Sequence, residues 1–201
     1  MKKICGILEK EKGLDLSGMK ALELFARDGS WQTTAYADKV AALDAWEIDP
    51  SFERSLKKNL PKANIKITDS IRELVRKSNH GKYDLVVVDN GQGCFGADRT
   101  YCEHFDVIPE IAKFLDTAGI VIFNINKKPF NYDQSPDWRR RRQEYYHRNQ
   151  TARISIHWLL SFYKELFSKS GYSTRFCFSV SREDLEHDDY LHYLVYYLQA
   201  K

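Results

Sequence analysis

Gly18-Met19-Lys20-Ala21-Leu22-Glu23-Leu24-Phe25-Ala26-Arg27-Asp28-Gly29 is the stretch that decides the fold. Lys20 to Ala26 is a short, mostly apolar run suited to a buried strand, and Gly29 closes the turn after it. Working outward, the same strand-then-helix order repeats. Trp31 to Val40 is expected to be helical. Ala42 to Asp49 reads as a second strand ending in Asp-Pro, and Pro50 opens a helix through Phe52 to Asn59, a position where the ring is tolerated. Asn64 to Thr68 is a third strand, and Asp69 or Ser70 can cap a helix over Ile71 to Lys77. Tyr83 to Asp89 is the clearest strand. Its continuous β-branched run implies burial on both faces.

A loop with three glycines, Asn90 to Gly96, follows. Ile108, Ile111, Ala112 and Leu115 fall at i, i+3, i+4 and i+7, which predicts a helix with one apolar stripe. Gly119 opens a fifth strand, Ile120 to Asn126. Periodicity then stops from Lys127 to Thr151, and a stretch of that length in a compact domain is usually functional or mobile. Ser155 to Ser170 returns to helix, with Trp158, Leu159, Phe162 and Leu166 on one face and Gly171 as the stop. Ser173 to Ser181 and Tyr190 to Gln199 are the last strands. The acidic turn between them, Glu183 to Asp189, is too short for a helical crossover, so they are expected to pair antiparallel.

Alternating β and α units require a mostly parallel sheet with helices on both faces. The expected fold is therefore α/β, a doubly wound seven-stranded sheet with a C-terminal antiparallel hairpin. The 201 residues fit one domain, 1–201, with 127–152 as a basic and aromatic insertion across the active site. No apolar run approaches the length of a membrane span. Charged residues Glu9 to Lys12 follow the basic start too closely for a signal peptide, so a cytoplasmic location is the expectation.

Cys5, Cys94, Cys102 and Cys177 form no C-x-x-C pair. Cys94, Cys102 and His104 have poor spacing for zinc, so reduced thiols and no metal are expected. Net charge is +3, while residues 127–148 alone hold seven Lys or Arg against three acids. The basic excess is one patch.

Ligands of such sheets bind beyond the carboxyl ends of the strands, where the strand order reverses. Four successive strand ends carry Glu23, Glu47, Asp69 and Asp89. One such acid reads equally well as a helix cap; four at one edge suggest a site. Glu47 stands about 20 residues past the first turn, where a carboxylate can accept both ribose hydroxyls. A nicotinamide site would need three glycines to let a pyrophosphate approach the backbone. Phe25 and Arg27 stand at two of those positions, so a ligand without phosphates fits better.

At this point Gly18 to Gly29 resembles the G-x-x-x-L-D-L-F-A-G-S-G form of motif I of the class I S-adenosylmethionine-dependent methyltransferases. That form is familiar among nucleic-acid enzymes, including those acting on rRNA. By motif order the resemblance runs from Gly18 to about Asn126. It implies S-adenosyl-L-methionine as cofactor. Glu23 and the turn through Phe25, Ala26, Arg27 and Gly29 would line its methionine part. Glu47 would hold the ribose, with Ile48 against the adenine, Asp69 accepting from the adenine amino group and Ser70 beside it. Asp89 and Asn90 would sit under the sulfonium and are the catalytic candidates. Arg27 and Asp28 replace the family's Gly-Ser; Arg27 pairs with Asp28 or Glu23, reaches the cofactor carboxylate, or blocks the site.

Amine-methylating members carry D/N-P-P-Y/F at the fourth strand, whose aromatic stacks on a flipped base. Here that position reads Asp89-Asn90-Gly91-Gln92, with Phe95 as the stacking candidate. Asp89, Glu103 and His104 are candidate bases, although His104 also reads as the plain start of a helix. Arg139, Arg140, Arg141 and Arg142, interleaved with Trp138, Tyr145 and Tyr146, are the candidate nucleic-acid contacts, because Arg binds phosphate and aromatic rings stack on unpaired bases. The alternative is a solvated basic helix that pairs with acids such as Glu183 to Asp189. The expected acceptor is nucleic acid, RNA before DNA. The other readings are a small-molecule or protein methyltransferase with 127–152 as lid, and a non-catalytic cofactor-binding relative. The sequence leaves the oligomeric state open.

Overall fold

The structure is a computed structural model that describes residues 1–182 and 190–201. Seven strands, β1 (Lys20–Glu23), β2 (Ala42–Glu47), β3 (Asn64–Ile67), β4 (Tyr83–Val88), β5 (Leu115–Asn126), β6 (Tyr172–Ser181) and β7 (Leu191–Ala200), form one sheet. Their order is β3-β2-β1-β4-β5-β7-β6. The first five run parallel, and β7 lies antiparallel between β5 and β6. The α/β fold with its antiparallel C-terminal pair is as the sequence implies. The chain winds outward from β1 to β3, then returns to lay β4 on the other side of β1. The order therefore reverses between β1 and β4, and Glu23 is in register with Val87 there.

Strand alternation sorts the apolar side chains onto two faces. Leu22, Trp46, Val86, Val88, Val121, Phe123, Leu194 and Tyr196 face one way. There they meet α4 (Ile108–Ile111), α5 (Pro136–Tyr146) and α6 (Ile156–Lys169). Ala21, Leu43, Ala45, Leu85, Val87, Ile120, Ile122, Tyr193 and Val195 face the other way. They are covered by α1 (Lys2–Gly6), which continues as a wider helical turn to Glu11, and by Leu56 of α2 (Glu53–Asn59) and Leu60 beyond it. α3 (Ser70–Leu74) packs Leu74 onto the first face.

The helix expected over Trp31 to Val40 is only one tight turn, Thr33–Ala35. Thr33 and Tyr36 instead direct their hydroxyls at Glu23, and Tyr36 is buried. That side-chain pull competes with the helical ladder in a segment weakened by three β-branched residues, Thr33, Thr34 and Val40. The helix read through Leu115 stops by Phe114, and β5 begins at once. The segment without periodicity contains α5, opened by Pro136. Its inward face is Trp138, Arg142 and Tyr146. An arginine in the middle of that stripe hides it from any apolar pattern. Glu183 to Asp189, and the ion pairs expected there, lie outside the described residues. Among those described, no helix is long and apolar enough to cross a membrane.

Candidate functional site

A cleft of about 470 Å³ opens at the β1/β4 reversal. It is lined by Glu23 and Phe25 to Arg27 after β1, Glu47 after β2, and Asp89 to Gln92 after β4, with Asn124 of β5 and Arg182. Of the cofactor and catalytic candidates, Glu23, Phe25, Ala26, Arg27, Glu47, Asp89 and Asn90 thus meet in one place.

Glu23 is buried beneath the cleft. The Tyr36 hydroxyl donates to its Oε2, and Thr33 lies 3.4 Å from the same oxygen. Burial, with the nearby negative charge of Asp89, pushes its pKa up to about 8. The carboxyl is therefore mostly protonated at neutral pH.

Glu47 holds the motif turn. Its Oε2 accepts the Arg27 N–H at 2.7 Å and its Oε1 accepts the Asp49 N–H at 2.9 Å. Arg27 has φ 52°, a left-handed conformation that costs a non-glycine residue energy. Its side chain is exposed, with the guanidinium 5.9 Å from the ring centroids of both Trp31 and Phe52. Gly29, at φ +71°, packs where a Cβ would stand 2.8 Å from Leu60. The turn therefore needs glycine there for both backbone and space, and Gly29 acts beneath the site without lining it.

Asp89 is clamped from three sides. Asn124 donates to Oδ1 at 2.7 Å, Tyr193 donates to Oδ2 at 2.8 Å, and Arg182 lies 3.8 Å away. Asn90 donates through Nδ2 to the Glu103 carbonyl, while its own carbonyl accepts from Asn124 at 2.8 Å and Gln92 at 3.3 Å. The Asn90 Oδ1, Gln92 Oε1 and Asn124 Oδ1 atoms are buried without partners. Asn124 was the one missed residue with a sequence signal, a buried amide inside the apolar run Ile120 to Ile125. Thr33, Tyr36, Arg182 and Tyr193 arrive from distant segments and left none.

Ile48, Asp69 and Ser70 do not line the cleft. Ile48 is 63% exposed just beyond Glu47. Asp69 caps α3, its Oδ1 accepting from Ile71 at 3.0 Å and Arg72 at 3.3 Å, and Ser70 donates to the Leu24 carbonyl. Phe95 packs edge-on against Phe25 with centroids 6.5 Å apart, which places its ring behind one that does line the cleft.

The basic segment splits in two. Arg139, Arg140 and Arg141 lie toward solvent, within 3.9 Å of Asp133, 3.1 Å of Glu144 and 3.2 Å of Asp106. Arg142 is fully buried and corrects the expectation that all four arginines face a ligand. It pairs with Glu103 at 2.5 Å and donates to the carbonyls of Asn126 at 2.9 Å and Thr151 at 3.3 Å. A buried guanidinium so engaged cannot reach a phosphate. Glu103 also accepts from Trp138 at 2.6 Å, which makes it a strut and not an accessible base. His104 is buried against the Tyr163 hydroxyl, and burial, with Arg142's charge, holds its pKa down to about 3. It stays neutral in the core and lies in the turn before α4, which starts only at Ile108.

The chain matches no family model and no curated protein sequence. Its structure is similar to that of PH0793 from Pyrococcus horikoshii, provisionally named a transferase, with TM-score 0.59 and 11% identity. That match covers 94% of this chain and 60% of PH0793, so the chain spans less than two thirds of that protein. PH1948 from the same organism, provisionally named an RNA methyltransferase, matches with TM-score 0.58 and 12% identity over 99% of this chain and 82% of its own. M. jannaschii TYW2, solved in complex with AdoMet, matches with TM-score 0.53 and 15% identity over 98% and 77%. The chain has the Rossmann-like fold of these proteins.

Proposed function

We propose that the chain is an S-adenosylmethionine-dependent methyltransferase whose acceptor is a nucleic acid, RNA before DNA. One observation carries the cofactor. Glu47 and Asp89 bring carboxylates to the cleft, and three acceptor oxygens there, on Asn90, Gln92 and Asn124, are buried without partners. Buried acceptors without donors are costly, so the cleft favours a ligand rich in donors and positive charge. S-adenosylmethionine offers an ammonium, a sulfonium and two ribose hydroxyls. The likeness to a fold solved with AdoMet supports the same reading.

When bound, the cofactor supplies an electrophilic methyl group on a good leaving group. The chain's own residues bind and orient. Glu47 would take the ribose hydroxyls on the lone pairs left by its two backbone bonds, with exposed Ile48 beside the adenine. Glu23 and the Phe25 to Arg27 turn would hold the methionine end. Asp89 and Asn90 would face the reacting centre, where the free Oδ1 of Asn90 can accept an acceptor N–H and so aim its lone pair.

The acceptor class rests on α5. Among the described residues its three solvent-side arginines pair with surface acids, and such pairs are weak enough to be exchanged for phosphates. The helix is joined to the cleft through Arg142, Glu103 and Asn90. Titration calorimetry of the intact chain with S-adenosylmethionine and its demethylated product tests the cofactor; absence of binding to both would leave a non-catalytic fold. Salt-sensitive binding of single-stranded RNA, lost in Arg139→Gln/Arg140→Gln/Arg141→Gln, tests the acceptor. Cofactor binding without RNA binding would move the acceptor to a small molecule or protein.

A further inference from the structure

We infer that Cys94 and Cys102 form an oxidisable dithiol, a modification site that staples the loop carrying Asn90. The two residues face each other in the antiparallel ribbon Cys94–Phe95 with Tyr101–Cys102. Their Sγ atoms are 3.2 Å apart, and both are free thiols. The next pair outward is hydrogen-bonded, Glu103 N–H to the Gly93 carbonyl at 2.8 Å. Cys94 and Cys102 therefore occupy a non-hydrogen-bonded position, where Cα atoms stand about 4.5 Å apart. A disulfide spans about 4.4–6.8 Å between Cα atoms, so this pair can be bridged without moving the ribbon.

The two sulfurs are not equivalent. Cys94 is half-buried, whereas Cys102 is fully buried. Burial, then the Glu103 carboxylate, pushes the Cys102 thiol up. With a peroxide as oxidant, the chemistry divides accordingly. The Cys94 thiolate attacks one peroxide oxygen, the O–O bond breaks, and hydroxide leaves. Cys94 is then a sulfenic acid and the peroxide is reduced to the level of water. Cys102 Sγ next attacks Cys94 Sγ. The S–O bond breaks, and the departing hydroxide takes the Cys102 proton as a second water. Cys94 is the peroxide-facing sulfur and Cys102 the resolving one.

The location gives the bond a consequence. The ribbon begins just after Asn90 to Gln92 in the cleft and ends at Glu103, whose carbonyl holds Asn90. A bond between residues 94 and 102 closes this loop on itself beside the site. Neither the pairing nor its test depends on the cofactor assignment.

The test is hydrogen peroxide applied to the intact chain, followed by peptide mass mapping and a dimedone probe for sulfenic acid. Wild type should lose two hydrogens in one peptide pair linking Cys94 to Cys102, restored by dithiothreitol, while Cys5 and Cys177 remain thiols. Cys102→Ser should trap dimedone on Cys94, and Cys94→Ser should leave Cys102 unlabelled. Dimedone on Cys102 in Cys94→Ser would overturn the order of attack. Sulfenic acid that persists on Cys94 in wild type with no bridge would overturn the dithiol.

Discussion

Glu47 reaches back 20 positions in sequence and accepts the backbone N–H of Arg27 at 2.7 Å, joining the end of β2 to the turn after β1. The contact makes a binding candidate also a brace. Glu47→Ala would leave the N–H groups of Arg27 and Asp49 without acceptors, at about 1–3 kcal/mol in total stability. The substitution should therefore weaken cofactor binding strongly and also lower the denaturation midpoint. Calorimetry and urea melts of the same sample check both. Unchanged affinity would remove the ribose from this position.

The protonated state of Glu23 sets a pH dependence. Its folded pKa, about 8, lies above its unfolded value, so the unfolded chain releases the proton first as pH rises. The stabilisation is complete below the unfolded carboxylate range and is lost as pH climbs through the folded value. Thermal melts from pH 5 to 8.5 should show wild type losing ground to Glu23→Gln as pH increases. Parallel curves would mean that Glu23 is ionised in the fold.

Arg142 and Arg140 share a helix and should behave in opposite ways. Arg142→Met strands a buried Glu103 carboxylate, and breaking such a pair costs about 3–5 kcal/mol. Arg140→Gln, on the exposed side, should leave the denaturation midpoint unchanged while reducing the salt dependence of RNA binding. A stable Arg142→Met protein would show that the ion pair does not brace the Asn90 loop.

Gly29→Ala brings a Cβ within 2.8 Å of Leu60 at a left-handed φ. Backbone strain and overpacking together predict a loss of about 2–4 kcal/mol. Arg27→Gly, two positions earlier, should be close to neutral because it trades a strained φ for a more flexible unfolded chain. Chemical denaturation of the two variants separates these outcomes.

The sequence alone determined the order of the strands along the chain, the antiparallel final pair and the acids at the strand ends. Those follow from local rules: a continuous β-branched run such as Tyr83 to Asp89 is a buried strand wherever it lands, and a strand end at a sheet reversal lines a crevice. It could not tell which acids turn inward. Asp69 stands at a strand end like Glu23 and Glu47, yet it spends its carboxylate on capping α3. Nor could it separate Arg142 from its three neighbours, because a helix turn of 3.6 residues puts one of four consecutive arginines into the core and leaves the others outside. Only the tertiary structure brought Tyr36, Asn124, Arg182 and Tyr193 from separate segments onto Glu23 and Asp89. Burial and partners, set by contacts distant in sequence, decided the charge of Glu23 and the place of Arg142.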